Sequence, residues 1–460
     1  MTLIKSISGI RGTIGGQPEE NLTPLDAVRF AAAYGSWLLA NDQNKKCKVV
    51  VGRDARLSGK MLQELVQNTL IGLGIDVVDA GLSTTPTIEM AVVFEEAQGG
   101  IILTASHNPK EWNALKLLNH KGEFISAQDG EALLESVQKE DFEFAAVDDL
   151  GTIHKNESFI SKHIEHVLAL PLVAKETIQK ARLKVVVDAV NSTGGLAIPP
   201  LLEALGVEYY PLYCNPTGHF PHNPEPLKEH LGDLCEAVLH HKADFGIVVD
   251  PDVDRLAFVD EKGQMFGEEY TLVACADYVL SKTPGNTVSN LSSTRALKEV
   301  TNRAGGDYFV AAVGEVNVVN EMKATQAIIG GEGNGGIIYP ELHYGRDALV
   351  GIALFLSLVA ERKKRVSVLK ASYPAFYMSK NKITLKKGMD VDAILVKVKE
   401  RFEKEAPSTV DGVKIDFEDS WVHLRKSNTE PIIRIYTEAK SQDEAVELAA
   451  KFTEVISNLM

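Results

Sequence analysis

The chain is poor in cysteine, has no excess of basic residues and contains no long apolar run. Its four cysteines are scattered through 460 residues without a CxxC pair, which predicts reduced thiols and a cytoplasmic protein. Lys and Arg number 48 against 63 Asp and Glu, a net charge of −15, so we expect no nucleic-acid or membrane partner. No stretch approaches about 18 apolar residues, and the first residues lack a signal-peptide pattern, so the sequence predicts neither export nor a membrane span.

What the chain does have is the composition of a globular protein, with 45% hydrophobic and 24% charged residues. Short β-branched runs alternate with longer stretches of helical period through roughly the first 370 residues, which predicts an α/β fold with mainly parallel sheets. After Tyr373 the pattern changes to strands and two amphipathic helices, typical of a small α+β domain. Apolar strands at 46–54, 183–191 and 243–254 each end in a polar loop, where ligands of parallel sheets bind.

Composition shifts mark the domain boundaries. An acidic segment covers 139–158 and a basic one covers 361–368, and a third boundary is expected between 255 and 270. These seams divide the chain into segments at 1–150, 151–255, 256–370 and 371–460.

The segment TASHNP at 104–109 follows an apolar strand. Asn-Pro marks a turn, so Ser106 is expected on a tight loop, where an immobilised hydroxyl would serve as a nucleophile or phosphoryl carrier. A plain polar turn is the alternative. The GxSxG elbow of a hydrolase triad is absent from the sequence.

The segment DPDVDR at 250–255 places three carboxylates directly after an apolar strand. If the backbone is extended, Asp250, Asp252 and Asp254 lie on one side, and such hard oxygen ligands suit Mg²⁺ or Ca²⁺. An EF-hand is disfavoured because Arg255 replaces the required Gly and a strand precedes the loop. A solvated acidic turn is the alternative.

Two further loops have residues suited to binding a sugar and a phosphate. In GGEGNGG at 330–336, glycines permit close approach while Glu332 and Asn334 offer hydrogen-bonding groups to hydroxyls. The GK[ST] ending of a P-loop is missing there, and GxGxxG is not matched in a Rossmann setting. RKSNTEP at 425–431 combines a guanidinium, hydroxyls and loop amides into a candidate phosphate cradle. Its candidate ligands are Arg425, Ser427, Asn428 and Thr429. Ser58 is expected to cap the helix after GRDARLSG at 52–59, where Arg53, Asp54 and Arg56 could form structural ion pairs or contact a ligand.

Taken in order, these four loops resemble those of the α-D-phosphohexomutase superfamily over nearly the whole chain. TASHNP is similar to its phosphoserine loop, DPDVDR to its metal loop, GEGNGG to its sugar-specificity loop and RKSNTEP to its phosphate-binding loop. The resemblance implies three similar α/β domains and a small α+β C-terminal domain around a central cleft.

The resemblance also implies a chemistry. Ser106 would carry a phosphoryl group and exchange it with a hexose monophosphate through a hexose 1,6-bisphosphate, while Asp250, Asp252 and Asp254 would bind Mg²⁺ with the seryl oxygen. Arg11 and Lys116 would stabilise charge or move a proton, His107 would order the loop and Arg255 would assist. The cradle at 425–429 would hold the non-reacting phosphate.

The chain departs from the family pattern in its sugar loop. Asn334 and Gly336 stand where many members have Ser and His, and His343 is a possible substitute for that histidine. The loop is most similar to a divergent phosphoglucosamine mutase branch, with phosphomannomutase or phosphoglucomutase activity as the alternative. A metal-dependent phosphatase and a non-catalytic sugar-phosphate sensor are more distant alternatives. We expect a monomer or a homodimer.

Overall fold

The computed structural model describes residues 2–6, 9–41, 46–385, 389–426 and 432–459. Within them the chain forms four units, each built on its own sheet. The first sheet has seven strands in the order β1-β2-β6-β5-β3-β4-β7. Its elements are β1 (Ile4–Ser6), β2 (Gly9–Thr13), α1 (Pro24–Asn41), β3 (Lys48–Arg53), α2 (Gly59–Gly72), β4 (Asp76–Leu82), α3 (Thr85–Phe94), β5 (Gly99–Leu103), β6 (Trp112–Leu118), α4 (Ala127–Lys139) and β7 (Ile153–Lys155).

The second and third units each have a four-stranded sheet. The second contains α5 (Phe159–Ala169), α6 (Lys175–Ala181), β8 (Lys184–Asp188), α7 (Gly194–Leu205), β9 (Glu208–Leu212), α8 (Gly232–His241), β10 (Phe245–Val249) and β11 (Leu256–Asp260). The third contains α9 (Glu268–Lys282), β12 (Thr287–Asn290), α10 (Ala296–Arg303), β13 (Tyr308–Ala311), α11 (Glu315–Thr325), β14 (Ile329–Glu332), β15 (Gly336–Ile338), α12 (Ala348–Arg362) and α13 (Val366–Ala371).

One strand arrangement recurs in all three units. The orders β6-β5-β3-β4, β11-β10-β8-β9 and β15-β14-β12-β13 are the same, with three parallel strands and a fourth that returns antiparallel beside the third. The predicted three similar α/β domains are therefore confirmed. The buried parallel strands are the Val- and Ile-rich runs that predicted them, because strands covered on both faces need apolar side chains throughout.

The fourth unit is a small antiparallel sheet with two helices, as predicted. It contains β16 (Tyr377–Thr384), α14 (Val391–Arg401), β17 (Val413–Asp416), β18 (Trp421–Lys426), β19 (Ile432–Ala439) and α15 (Gln442–Ser457), with the strand order β16-β19-β18-β17. A capping box between Ser441 and Glu444 starts α15.

Units two and three share one hydrophobic core. Helix α12 is almost wholly buried, and Phe355 on it stacks on Phe258 of β11 with ring centroids 3.8 Å apart. Burying each such ring stabilises the fold by about 1.5–3 kcal/mol. This packing fixes the hairpin of β10 and β11, whose connecting loop carries the three aspartates, against unit three.

Two short strands lie just beyond the boundaries expected at 150 and 255. Strand β7 pairs with β4 of the first sheet, and β11 pairs with β10 of the second. A short strand reveals its sheet only through its partner, so composition alone could not assign these two.

The four cysteines are free thiols, with Cys47 and Cys275 buried. Among the described residues, no helix combines the length and the apolar character needed to cross a membrane.

Candidate active site

Three of the predicted loops occupy the same position in the three repeated units. Each joins the third strand to the antiparallel fourth: residues 104–111 join β5 to β6, 250–255 join β10 to β11, and 333–335 join β14 to β15. Side chains from these loops contact one another across unit boundaries, as described below. The repeated topology therefore brings together loops that lie far apart in the sequence.

Ser106 occupies a left-handed turn, with φ of 49°, which is uncommon for a residue with a side chain. Its amide N–H donates to Thr104 Oγ1 at 3.0 Å, and its hydroxyl donates to Asp250 Oδ2 at 2.6 Å. The predicted nucleophile is thus nearly buried, held in one conformation and joined to the metal loop. His107 lies beside it, with Nδ1 3.5 Å from Ser106 Oγ.

The buried guanidinium of Arg56 is hydrogen-bonded to the backbone of this serine loop. It pairs with Asp54, with Nε 3.0 Å from Oδ2, so the ion pair considered from the sequence is present. Its terminal nitrogens donate to four backbone carbonyl oxygens, those of Ser106 (2.5 Å), Asn108 (2.6 Å), Pro109 (2.7 Å) and Trp112 (2.9 Å). One side chain therefore satisfies three carbonyl groups of the loop and one of the strand that follows it.

The prediction that Ser58 caps the next helix is wrong. Ser58 has helical backbone angles and its side chain makes no capping hydrogen bond; instead its hydroxyl accepts from Asn113 Nδ2 at 2.9 Å. An N-cap side chain reaches the helix amides from an extended backbone, and Ser58 is not extended.

The aspartate loop is a tight turn, not the extended segment predicted from the alternation of its carboxylates. Val253 has a φ of 65°, and its N–H donates to the Asp250 carbonyl at 3.1 Å. The turn still brings Asp250, Asp252 and Asp254 together, with one oxygen of each within 4.8 Å of the others and all three side chains fully buried.

Neighbouring groups hold the backbone of this turn. The hydroxyls of Ser192 and Thr193 donate to the Pro251 carbonyl at 2.6 and 2.8 Å, and the Thr85 N–H donates to the Asp252 carbonyl at 2.9 Å. Thr85 begins α3 of the first unit, so the turn is fixed from both units.

The three carboxylates suit a divalent cation. The Oδ1 atoms of Asp252 and Asp254 are buried and accept no hydrogen bond within the described part of the chain. Burial, followed by repulsion from Asp252 and Asp254, raises the pKa of Asp250 well above its ordinary value. Such a cluster of unsatisfied oxygens matches the preference of Mg²⁺ for carboxylate ligands with open positions.

Lys116 contacts the other two aspartates of the cluster. Its Nζ is 2.7 Å from Asp252 Oδ2 and 3.1 Å from Asp254 Oδ2. Although burial lowers the pKa of Lys116, these two carboxylates raise it more, so that the net shift is upward. Lys116 is therefore cationic in this structure and neutralises part of the carboxylate charge.

Arg11, Arg255 and His107 lie in the same charged cleft. Burial is the main reason that the pKa of Arg11 is lowered, and Arg255 and Arg346 add to the effect. Burial, then Arg255 and Arg11, lowers the pKa of His107 well below its ordinary value, so this imidazole is neutral at pH 7. The Arg255 backbone N–H donates to Asp250 Oδ1 at 3.1 Å, and its side chain approaches Glu225 Oε1 at 3.3 Å.

Arg346 is a site residue that the sequence analysis missed. Its buried guanidinium contacts Asp254 (2.6 Å), Glu315 (2.8 Å) and Glu332 (2.8 Å), and so joins the metal loop to the sugar loop. The GRD segment containing Arg346 carried no recognisable motif. The role of Arg346 becomes visible only in the structure, where it pairs with three carboxylates from distant parts of the chain.

Glu332 in the sugar loop is already fully engaged. Oε1 accepts from Asn290 Nδ2 (2.9 Å) and the Gly314 N–H (3.1 Å), and Oε2 accepts from Arg346 (2.8 Å) and Asn334 Nδ2 (3.4 Å). A sugar hydroxyl would have to replace one of these donors, of which Asn334 is the most distant.

The sugar loop has no room for a side chain at Gly335. Gly335 has a φ of +87°, and a Cβ there would lie 2.2 Å from the Leu256 carbonyl oxygen. The loop thus packs directly on the backbone that follows the aspartates.

The fourth loop is described only in part. Ser427, Asn428 and Thr429, the predicted phosphate ligands, lie outside the described residues. Arg425 Nε is 3.2 Å from Asp411 Oδ2, and the same carboxylate oxygen accepts from the Val313 N–H at 3.0 Å. Gly314, the residue after Val313, donates to Glu332 of the sugar loop. Arg425 is therefore connected to the sugar loop through Asp411 and this short segment.

His343, the possible substitute for the sugar-loop histidine, lies just before α12. Its ring contacts Asp347 and Glu89, at 3.3 and 3.4 Å, in a separate cluster.

Comparison with known proteins supports this assembly. Four family models match consecutive parts of the chain: phosphoglucomutase/phosphomannomutase α/β/α domain I over 3–144, domain II over 161–263, domain III over 267–376 and the C-terminal domain over 380–455. A protein of Thermococcus kodakarensis named phosphoglucomutase/phosphomannomutase is 38% identical, covering 96% of this chain and 98% of its own. A probable phosphoglucosamine mutase of Methanopyrus kandleri is 33% identical, covering 98% and 96%.

Among solved structures, a phosphoglucomutase/phosphomannomutase family protein of Burkholderia thailandensis superimposes with a TM-score of 0.84 at 26% identity, covering 100% of this chain and 98% of its own. The family matches together span nearly all the described residues, in the order of the four units. The chain therefore belongs to the α-D-phosphohexomutase superfamily, a group of isomerases, as a four-domain member of its phosphoglucomutase/phosphomannomutase family.

Proposed function

We propose that this protein interconverts hexose 1-phosphates and 6-phosphates through a phosphoserine at Ser106. The observation that carries the proposal is the 2.6 Å hydrogen bond from the Ser106 hydroxyl to Asp250, inside a cluster of three buried carboxylates. This places a conformationally fixed hydroxyl beside a cation site, the arrangement that phosphoryl transfer needs.

In the first half-reaction, the bond between Ser106 Oγ and phosphorus breaks while a hydroxyl of the sugar monophosphate bonds to that phosphorus. The product is a hexose 1,6-bisphosphate. The neutral imidazole of His107 lies in the cleft to accept the proton that the sugar hydroxyl loses. The bisphosphate then reorients in the site so that its two ends exchange places, and its other phosphoryl group is transferred to Ser106. The net result is that phosphate has moved between O1 and O6.

Charge on the transferring group is balanced by residues of the first and second units. Arg11, Lys116 and Arg255 supply positive charge, and Asp250, Asp252 and Asp254 would hold Mg²⁺ together with an oxygen of the phosphorylated serine. When bound, Mg²⁺ neutralises negative charge on phosphoryl oxygens. A pre-positioned set of charges needs little reorganisation as the reaction proceeds.

Substrate orientation would depend on the two remaining loops. Glu332 and Asn334 would contact sugar hydroxyls, and Arg425 with Ser427, Asn428 and Thr429 would hold the phosphate that is not reacting. Gripping the distal phosphate lets the same site accept the bisphosphate in either orientation, since its two ends exchange places.

Glucosamine phosphate is the substrate that we favour. Glu332 of the sugar loop and Glu315 at the start of α11 are buried carboxylates that share Arg346, and the amino group of an amino sugar could replace one of their donors. The Methanopyrus relative is named a probable phosphoglucosamine mutase. Glucose and mannose phosphates are the second candidates because the Thermococcus relative carries both names.

A side-by-side turnover assay tests this choice. Glucosamine, N-acetylglucosamine, mannose and glucose 1-phosphates are each supplied with Mg²⁺ and a trace of the matching 1,6-bisphosphate, and 6-phosphate and free phosphate are both measured. We expect 6-phosphate as the product, with the highest kcat/KM on glucosamine 1-phosphate. Free phosphate as the main product would identify a phosphatase instead, and binding without turnover would identify a sensor.

A further inference from the structure

A second cluster of potential metal ligands lies where α3, α5 and the segment before α12 meet. We call it the histidine cluster, and it consists of His163, His343 and Asp347, with one ligand atom of each within 4.8 Å of the others. His163 and Asp347 are fully buried, and the His343 side chain is 14% exposed. None of these residues belongs to the aspartate loop, and none has a role in the proposed phosphoryl transfer.

One oxygen of Asp347 is directed at both imidazoles. Its Oδ1 accepts from the backbone N–H groups of Leu349 (2.7 Å) and Val350 (3.4 Å) as the N-cap of α12. Its Oδ2 lies 2.8 Å from His163 Nε2 and 3.3 Å from His343 Nε2. Both Nε2 atoms therefore lie close to the same carboxylate oxygen.

The opposite nitrogen of each imidazole also has a neighbour. His163 Nδ1 is 2.9 Å from Thr87 Oγ1, and His343 Nδ1 is 3.4 Å from Glu89 Oε2. In metal sites, the ring nitrogen that does not bind the ion usually donates to an oxygen of the outer shell, which fixes the tautomer and the ring orientation. Thr87 and Glu89 occupy those outer-shell positions.

Glu89 lies beside the His343 ring in a buried position. Only 2% of this residue is exposed, and neither carboxylate oxygen makes a hydrogen bond with any described residue. A buried carboxylate without such partners is costly to the fold. A divalent cation on the far side of the His343 ring would supply positive charge close to Glu89 and polarise the intervening Nδ1–H toward it.

We propose that His163, His343 and Asp347 bind a divalent transition-metal ion of the Zn²⁺ class, at a site separate from the three aspartates. Two imidazoles and one carboxylate are a set that Zn²⁺ accepts, whereas Mg²⁺ prefers oxygen ligands alone. In a tetrahedral site with bonds of 2.0–2.1 Å the ligand atoms lie about 3.3 Å apart. The contacts of 2.8 and 3.3 Å need only a small expansion to reach that spacing.

Such an ion would join separate parts of the fold. Its outer shell comes from α3 of the first unit, one ligand comes from α5, and two come from the third unit. The N–H of Ala348, next to Asp347, donates to the Val253 carbonyl at 3.1 Å, so the site is one residue from a contact with the aspartate turn. We therefore assign the ion a structural role that stabilises the junction of the units.

The test uses the full-length chain carrying Asp250→Asn and Asp252→Asn, so that the aspartate site does not contribute. This protein is equilibrated with Zn²⁺ or Co²⁺ and desalted, and the retained metal is measured by mass spectrometry and by the visible absorption of Co²⁺. About one ion per chain is expected, with the intense absorption of a tetrahedral nitrogen- and oxygen-ligated Co²⁺. Mg²⁺ should not compete.

Adding His343→Gln should abolish both metal retention and the Co²⁺ spectrum, and His163→Gln should do the same. His343 is partly exposed, so its replacement tests the site even if the buried His163 variant fails to fold. Glu89→Gln keeps the three ligands and should weaken binding by about 10–100-fold.

The matched control is His222→Gln. His222 also pairs with a buried aspartate, with Nε2 3.0 Å from Asp188 Oδ2, and no second histidine belongs to that pair. Metal retention should not change in this variant. The proposal is overturned if the parent binds less than a tenth of an ion per chain, as it would if the cluster were only hydrogen-bonded, or if His343→Gln retains metal as the parent does.

Discussion

The Ser106 hydroxyl and the Asp250 carboxylate, 144 positions apart in the chain, are joined by a hydrogen bond of 2.6 Å. Each residue lies in the loop before the antiparallel fourth strand of its unit, so the contact joins equivalent loops of two repeats. The fold itself therefore aligns the serine with the carboxylate cluster. Alignment of this kind reduces the entropy that the reaction must otherwise lose.

Removing one aspartate should weaken cation binding. Asp252→Asn deletes a negative charge from the cluster and leaves Lys116 with only Asp254 as a partner. We expect Mg²⁺ affinity to fall by about 10-fold or more and turnover to fall with it, as measured by calorimetry and by initial rates against Mg²⁺ concentration. Asp260→Asn, at a buried carboxylate in β11 outside the cluster, is the control and should bind Mg²⁺ normally.

Arg56 should control the position of the serine. Arg56→Lys keeps the charge beside Asp54 but cannot donate to four carbonyl oxygens at once. Because a shift of about 1 Å in a reacting group costs on the order of 100-fold in rate, kcat should fall by about that factor while KM changes little.

Arg53→Lys, in the same segment, is the control for Arg56. The Arg53 guanidinium donates to Gln63 and to the Asp54 carbonyl and makes none of the serine-loop contacts described for Arg56. Equal losses of kcat in the two variants would contradict a specific positioning role for Arg56.

These residues show what the sequence could and could not predict. Ser106 and the three aspartates were predictable because strand-end loops with unusual polar residues are visible in a linear pattern. Arg56 was recognised only as one half of a possible ion pair, and Arg346 was missed, because their partners come from distant segments. The fold class followed from the alternation of apolar strands and helices, which is also local.

The errors have the same origin. Alternating aspartates suggested extended backbone, but the positive φ of Val253 makes the segment a turn. Ser58 has the residue type of a helix cap, but its hydroxyl accepts from Asn113 of a neighbouring strand. Residue type indicates what a side chain can do, and tertiary neighbours decide which partner it takes.

Arg346 should be essential for stability as well as for site geometry. Arg346→Met leaves Asp254, Glu315 and Glu332 without their shared cation. Loss of one partner from a buried ionic cluster costs about 3–5 kcal/mol, so the free energy of unfolding in urea should drop by that order. Arg303→Met, at an exposed pair with Asp277, is the control and should cost less than about 1 kcal/mol.

Glu269 should make stability depend on pH. Burial raises the pKa of Glu269 from 4.5 to about 8, and nearby Lys380 offsets only part of that rise. The folded protein therefore keeps a proton that the unfolded chain has released, so this contribution to stability is lost as pH rises from about 4.5 to about 8.

Glu269→Gln should flatten that part of the stability curve. The free energy of unfolding is measured in urea at intervals from about pH 5 to about pH 9. Glu268→Gln is the matched control because Glu268 also approaches Lys380, at 3.3 Å, but is more exposed. A curve that stays equally steep in Glu269→Gln would show that another group titrates.

The measurement that tests the central claim most directly is the intact mass of the protein after incubation with a hexose 1,6-bisphosphate, followed by peptide mapping. We predict one added phosphoryl group, located on Ser106, that disappears when excess hexose monophosphate is added and is absent from Ser106→Ala, which has no turnover. A Ser106→Ala protein that retains full mutase activity, or an active protein whose phosphoryl group maps to another residue, would contradict the account.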